Sequence, residues 1–212
     1  MSDLGIRDSI RVNLLEYTRK AFQMIPKIEN PSILDIGCGT GIQSLELAKL
    51  GDGHITAVDI DVPALVFLQR KVKEQNLSDR FSIKQVSMQD LHYLGETFDI
   101  IWAEGSIYAI GFERGVREWK DLLNTGGYLV IHDEDVAVES KLQIIANNGY
   151  KLLGQIDVSH EEWEERYYKP LLQIMVTKKL ADSEITKLRK EIDTFKRTKM
   201  GSIFFILQKI ST

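Results

Sequence analysis

The stretch Ile33-Leu34-Asp35-Ile36-Gly37-Cys38-Gly39-Thr40-Gly41 constrains this chain more than any other. An apolar run stops at three alternating glycines, and a helical pattern of Ile42, Leu45, Leu47, Ala48 and Leu50 starts at once. That order predicts a strand, a tight turn and a helix N-terminus. Glycines at such a corner bring bare backbone N–H groups against a ligand, at the positive end of a helix dipole. The stretch reads as a cofactor-binding loop.

The rest of the chain repeats the strand–helix alternation. Residues 9–24 carry an amphipathic pattern that predicts a helix, and Asn30-Pro31 closes that region. Strands are expected at 32–36, 54–61, 81–86, 98–103, 128–132, 150–158 and 202–210. Helices are expected at 42–50, 63–75, 113–123 and 138–147, with Pro63 suited to a first turn and Asn148-Gly149 to a C-cap. Gly126-Gly127 is read as a turn before the fifth strand. The rhythm breaks after 158, where an acid- and aromatic-rich segment and a helix at 182–199 precede the last strand. The expected fold is α/β: a Rossmann-like, doubly wound, mostly parallel seven-stranded sheet. Helices lie on both faces, and a helical insertion precedes the last strand. One domain is expected, with an N-terminal helical segment at 1–30 and a cofactor-binding core at 31–158. An insertion or lid at 159–200 and the last strand at 201–212 complete it.

Two cofactor classes use a glycine turn after the first strand. The dinucleotide fingerprint places its third glycine three residues after the second. Here the pattern is Gly37, Gly39, Gly41, and Ile42 stands where that glycine belongs. A phosphate-binding P-loop is excluded, because no Gly-Lys-Ser/Thr follows. The second strand ends at Asp59, 22 residues after Gly37. A carboxylate there accepts hydrogen bonds from ribose hydroxyls, in nicotinamide and adenosyl cofactors alike.

These residues, with Val58-Asp59-Ile60-Asp61, Gln85-Val86-Ser87-Met88-Gln89-Asp90-Leu91, Phe98-Asp99-Ile100-Ile101 and Leu123-Asn124-Thr125-Gly126-Gly127-Tyr128-Leu129, resemble the class I (Rossmann-like) S-adenosylmethionine-dependent methyltransferases. The resemblance covers about 30–160. Residues 102–119 and 163–171 also look like the ubiquinone/menaquinone-biosynthesis-like, small-molecule branch. The resemblance implies S-adenosylmethionine as cofactor and S-adenosylhomocysteine as product. It places Gly37, Cys38, Gly39 and Gly41 under the methionine and ribose, with Cys38 packing as a small apolar residue. Asp35 would orient the amino group, directly or through water. Asp59 would bind the ribose and Ile60 would pack on the adenine. The family's adenine-binding aspartate after strand three is replaced by Ser87, so Ser87 or the Met88 backbone takes that role rather than Asp90. Glu104, just past strand four, would face the methionine end and the acceptor.

Candidate catalytic residues are Glu104, Tyr108 and His132. Glu104 would attract a cationic acceptor, take a proton or hold the methionine amine, and the alternative is an ordinary charge at a strand end. Tyr108 is divided between pocket lining and core. His132 is a candidate base near neutral pH, against a polar loop in which Asp133 or Asp135 caps a helix. No second His or Cys stands at ligand spacing, so no metal is expected. Trp163, Tyr167 and Tyr168 make either an aromatic lid or the packing of an added helix. A formal charge of -4 and a charge-diluted basic face at Lys187–Lys199 argue against nucleic acid. The Asn-Pro-Pro-Tyr/Phe signature of adenine methylation is absent. A single cysteine, no signal-peptide core and no membrane-spanning run point to the cytoplasm, with no membrane insertion. The expected function is methyl transfer to a small-molecule acceptor. The alternatives are an RNA or protein methyltransferase, and a regulatory protein that binds the cofactor without turnover.

Overall fold

The computed structural model describes residues 3–177 and 180–210. Its seven strands form one sheet in the order β3-β2-β1-β4-β5-β7-β6, over β1 (Ser32–Ile36), β2 (His54–Asp59), β3 (Phe81–Gln85), β4 (Phe98–Glu104), β5 (Leu123–Glu134), β6 (Tyr150–Val158) and β7 (Ser202–Lys209). All neighbouring pairs are parallel except those of β7, which runs antiparallel to both β5 and β6. This is the mixed α/β sheet that the spacing predicts. β1 is apolar along nearly its whole length because both faces of a parallel strand are covered. β7 reads the same way, and alternation separates its side chains. Phe204 and Ile206 join the core on one face, while Ile203, Phe205 and Leu207 join the core on the other.

The first face is covered by α1 (Asp3–Arg11), α2 (Leu15–Gln23), α3 (Ile42–Leu50) and α4 (Val62–Glu74). The second takes α5 (Phe112–Glu118) and α6 (Val138–Asn147). Asp61 caps α4 by accepting from the Ala64 N–H at 3.2 Å, with Pro63 in its first turn. Asp99, at the start of β4, accepts from the Ser32 N–H and hydroxyl and from Asn124. Those bonds hold its carboxyl below the ordinary carboxylate range, against the rise that burial would cause. It ties three strands at the end away from the glycine loop.

Two elements depart from expectation. The helix expected at 9–24 is two helices joined by a 3-10 turn at Val12–Leu14. α1 is tied to the glycine loop, since Asp8 accepts from the Thr40 hydroxyl and pairs with Lys71 at 2.6 Å. α2 instead packs on α3, and the tighter turn separates the two tasks. The Gly126-Gly127 turn lies inside β5, as an irregularity of the β4–β5 ladder with Gly126 at φ +73°. A Cβ on Gly127 would stand 3.0 Å from the carbonyl oxygens of Asn124 and Asp99.

Between β6 and β7 the chain forms α7 (His160–Trp163), a π-helical turn at Glu164–Tyr168, α8 (Lys169–Thr177) and α9 (Asp182–Thr198). Leu188 and Ile192 of α9 enter the core of the first face. Phe195 stacks between Tyr168, at 3.8 Å, and His160, at 4.1 Å. The expected segment bounds also run over 1–2, 178–179 and 211–212, which lie outside the described residues.

Candidate active site

Three cavities adjoin at the carboxyl ends of the strands, and Gly105 lines all of them. An outer cavity of about 420 Å³ is lined by Gly37, Asp59, Ile60, Ser87 and Met88. An inner one of about 120 Å³ is lined by Arg11, Tyr17, Gly37, Gln43 and Glu104. A groove of about 580 Å³ runs under α9. Ligands of open α/β sheets bind at this edge, where the strand order reverses, here between β1 and β4.

The glycine loop shapes the first two. Gly37, Gly39 and Gly41 all have positive φ, a region that favours glycine. The Gly37 and Cys38 N–H groups donate to the Val58 carbonyl at 2.8 and 3.0 Å. Asp59 accepts the Gly39 N–H at 2.7 Å and the Asp61 N–H at 2.9 Å, so the acid that ends β2 also fixes the loop. A Cβ on Gly39 or Gly105 would meet no protein atom within 4 Å. Those two glycines leave open the space that a ligand would fill. Ile60 stands 68% exposed beside it, an apolar side chain left mostly open.

Glu104 is the charged centre of the inner cavity. Its carboxylate accepts from Thr18 at 3.1 and 3.2 Å, from Gln43 at 3.1 Å and from Trp102 Nε1 at 3.0 Å. Burial raises its pKa, while those three donors and the charge of Arg11 oppose the rise. Thr18, Gln43 and Arg11 are absent from the sequence expectation. A signal for Thr18 existed: it sits between Leu14 and Ala21 on the apolar stripe of the N-terminal segment, where a polar residue needs a buried partner.

Most expected site residues meet here. Cys38 lines the inner cavity, and burial pushes its thiol up. Tyr108 lines the outer cavity and the groove, 76% exposed, so it belongs to the pocket and not the core. His132 lines the inner cavity and the groove. Gly41 lines neither cofactor cavity; it opens α3, and a Cβ there would stand 2.2 Å from Leu68 Cδ1.

Two residues are placed against expectation. Asp35 lines none of these cavities: it is 2% exposed and accepts from the Ser44 hydroxyl of α3. Alternation along β1 puts its side chain on the face that α3 covers, and it lies under that helix. His132 is not a base titrating near neutral pH. It stacks on Phe204 at 4.2 Å, and its Nε2 lies 2.7 Å from Ser202 Oγ. Burial pushes it down to about 3, and the charge of Arg11 adds to the fall. Trp163 Nε1 donates to the same Ser202 Oγ at 2.8 Å, leaving the serine's own hydrogen for His132. His132 therefore stands as a neutral imidazole.

Asp35 has a consequence for stability. Burial raises it to about 7, although the Ser44 bond opposes the rise. The folded state thus binds this proton more tightly than the unfolded chain. The stability it contributes is complete below about pH 4 and is lost as pH rises through 7. Asp35→Asn keeps a partner for Ser44 and removes the titration. Urea unfolding at stepped pH should show the wild type losing up to about 4 kcal/mol between pH 4 and 7 relative to the variant. Parallel pH profiles for the two proteins would refute this.

Among the described residues no group of His, Cys, Asp and Glu could hold a metal ion. Residues 33–127 match the model of the methyltransferase domain family. The chain is 27% identical over 130 residues to the methyltransferase GfsG of Streptomyces halstedii, covering 61% of this chain and 46% of that protein. It is 37% identical over 102 residues to the ribosomal protein L11 methyltransferase of Geotalea uraniireducens, covering 47% of this chain and 30% of the relative. The chain thus spans less than half the length of these curated relatives. The crystal structure of the [4+2]-cyclase SpnF superimposes with a TM-score of 0.74 at 20% identity, covering 93% of this chain and 82% of that one. The glycine loop, the acid ending β2 and the sheet order agree with the domain match, and residues 33–127 carry a methyltransferase domain of the class I, Rossmann-like, S-adenosylmethionine-dependent kind.

Proposed function

We propose that the chain transfers the methyl group of S-adenosylmethionine to a small molecule held in the groove under α9. The observation that carries this reading is the junction of the cavities: Gly105, His132 and Trp163 line both the inner cavity and the groove. A ligand in one would meet a ligand in the other at that wall. The cofactor, when bound, supplies an electrophilic methyl on a sulfonium, whose carbon–sulfur bond breaks as the acceptor's lone pair bonds to carbon, returning the electron pair to sulfur.

The protein's part is placement and exclusion of water. Asp59 offers its remaining lone pairs to the ribose, Ile60 covers the adenine face, and Ser87 with the Met88 backbone meets the adenine edge. Glu104, fixed by three donors, holds the ammonium of the methionine moiety, a role for which the sequence offers both Asp35 and Glu104. Arg11, which lines the same cavity, takes its carboxylate. At the acceptor end, Tyr108 covers the groove mouth and neutral His132 offers a hydrogen bond. His132, neutral and bonded to Ser202, is not the base for the acceptor's proton.

A small acceptor is favoured over a macromolecule because the groove is walled by Trp163, Tyr168 and Phe195 and roofed by α9. The matches to ribosomal protein L11 methyltransferases keep a protein acceptor as the second reading. SpnF, a [4+2]-cyclase by its description, shows that the fold alone does not specify methyl transfer.

Calorimetry with S-adenosylhomocysteine tests the cofactor site, and NAD is the control. Binding of the first and not the second is expected. Arg11→Ala should weaken S-adenosylhomocysteine by about tenfold, because one charge-assisted contact is lost. Adenosine, which lacks the amino-acid end, should bind the variant as it binds the wild type. Equal losses for both ligands would remove Arg11 from this role.

A further inference from the structure

We propose that the methyl acceptor is an elongated, mostly apolar molecule with an anionic group at the end remote from the methylated atom, and that Lys187 and Lys190 bind that anion. This rests on the methyltransferase reading above and names the acceptor class.

The groove has the size of a small-molecule site. Its walls are aromatic and apolar, from Trp163, Tyr168, Phe195 and Met200. Its charges are not equivalent. Asp133 is neutralised by Lys141 at 2.6 Å, and Glu191 by Arg7 at 2.8 Å. Lys187 and Lys190 line the groove and have no hydrogen-bond or ion-pair partner among the described residues. They stand one helical turn apart on α9, so two ammonium groups converge on one region of the groove. Glu134, the remaining carboxylate, ends β5 two residues beyond His132, on the side of the cavity junction.

The position of the two lysines sets the acceptor's length. They lie eleven and eight residues before the end of α9, roughly 12–16 Å along its axis. Past that end the chain passes Met200 and Gly201 to Ser202, which bonds His132 at the junction. A molecule spanning the groove therefore has its reacting end by His132 and its far end by the lysines. An apolar body suits the walls between them, and a carboxylate, phosphate or sulfonate suits the far end.

The test uses two probes with one aromatic frame: 8-anilinonaphthalene-1-sulfonate, which is anionic, and N-phenyl-1-naphthylamine, which is neutral. Fluorescence titration is done with the full chain saturated with S-adenosylhomocysteine. K187A/K190A should bind the sulfonate about tenfold more weakly than the wild type and the neutral probe unchanged. K187E/K190E should weaken the sulfonate further. K196A/R197A, which removes two cations of α9 that do not line this groove, should match the wild type. Both lysines are exposed, so these variants should fold and keep their S-adenosylhomocysteine affinity. No sulfonate binding to the wild type, an equal loss of both probes in K187A/K190A, or an equal effect of K196A/R197A overturns the anionic acceptor. Failure of S-adenosylhomocysteine to bind the wild type overturns the methyltransferase reading itself, and is seen before either probe is added.

Discussion

Asp59→Ala should lower the affinity for S-adenosylhomocysteine by about 100-fold, because it removes two supports at once. The first is direct. Asp59 lines the outer cavity beside Ile60, and a carboxylate there is the acceptor for the ribose hydroxyls. Each hydrogen bond to a charged group contributes about 1.5–3 kcal/mol. The second is through the loop. The same carboxylate holds the Gly39 N–H at 2.7 Å and the Asp61 N–H at 2.9 Å, so its loss releases the corner under the cofactor. Asp59→Asn keeps the shape and half the acceptor capacity, and about a tenfold loss is expected of it. Calorimetry measures both, with circular dichroism to show that the fold persists. A loss below about threefold in Asp59→Ala would remove the residue from the ribose site.

A pair of glycine variants separates loop architecture from ligand space. Gly37→Ala should destabilise the fold by about 2–5 kcal/mol in urea unfolding. Gly37 has φ +73°, and an added Cβ would stand 2.5 Å from Ser106 Cβ. Ser106 has little freedom to yield, because its hydroxyl donates to the Ile36 carbonyl at 2.6 Å. Gly39→Ala meets no protein atom, so only its positive φ costs stability, about 1–2 kcal/mol. Its methyl group enters the cavity space instead. S-adenosylhomocysteine binding should be lost in both, with the larger stability loss in Gly37→Ala. Wild-type affinity in Gly39→Ala would show that the loop does not pass against the ligand.

The half of the chain from β1 to β6 was legible because its signals are local. An apolar run, a glycine corner and a helical period occupy adjacent residues, and the parallel sheet follows from their repetition. The roles of Asp59, Ile60, Ser87, Met88 and Glu104 follow from the family resemblance, and each of these residues lines a cavity wall. The family resemblance assigns Asp35 to the cofactor's amino group, but its side chain lies beneath α3, where it accepts from Ser44, a pairing no local pattern marks. His132 was read by its ordinary titration, which burial against Phe204 abolishes.

The sequence by itself determined the strand–helix alternation and the glycine loop, because these depend on residues a few positions apart, and its motifs together resemble those of a family that uses one methyl donor. Only the tertiary structure decided what surrounds the donor. Thr18 meets Glu104 across 86 positions, and Ser202 meets His132 across 70. The π-helical turn that places Tyr167 and Tyr168 has no local pattern of its own. Such pairings form when the N-terminal helices and the α7–α9 insertion fold back over one edge of the sheet. No periodicity in the chain encodes which distant side chains that packing will bring together.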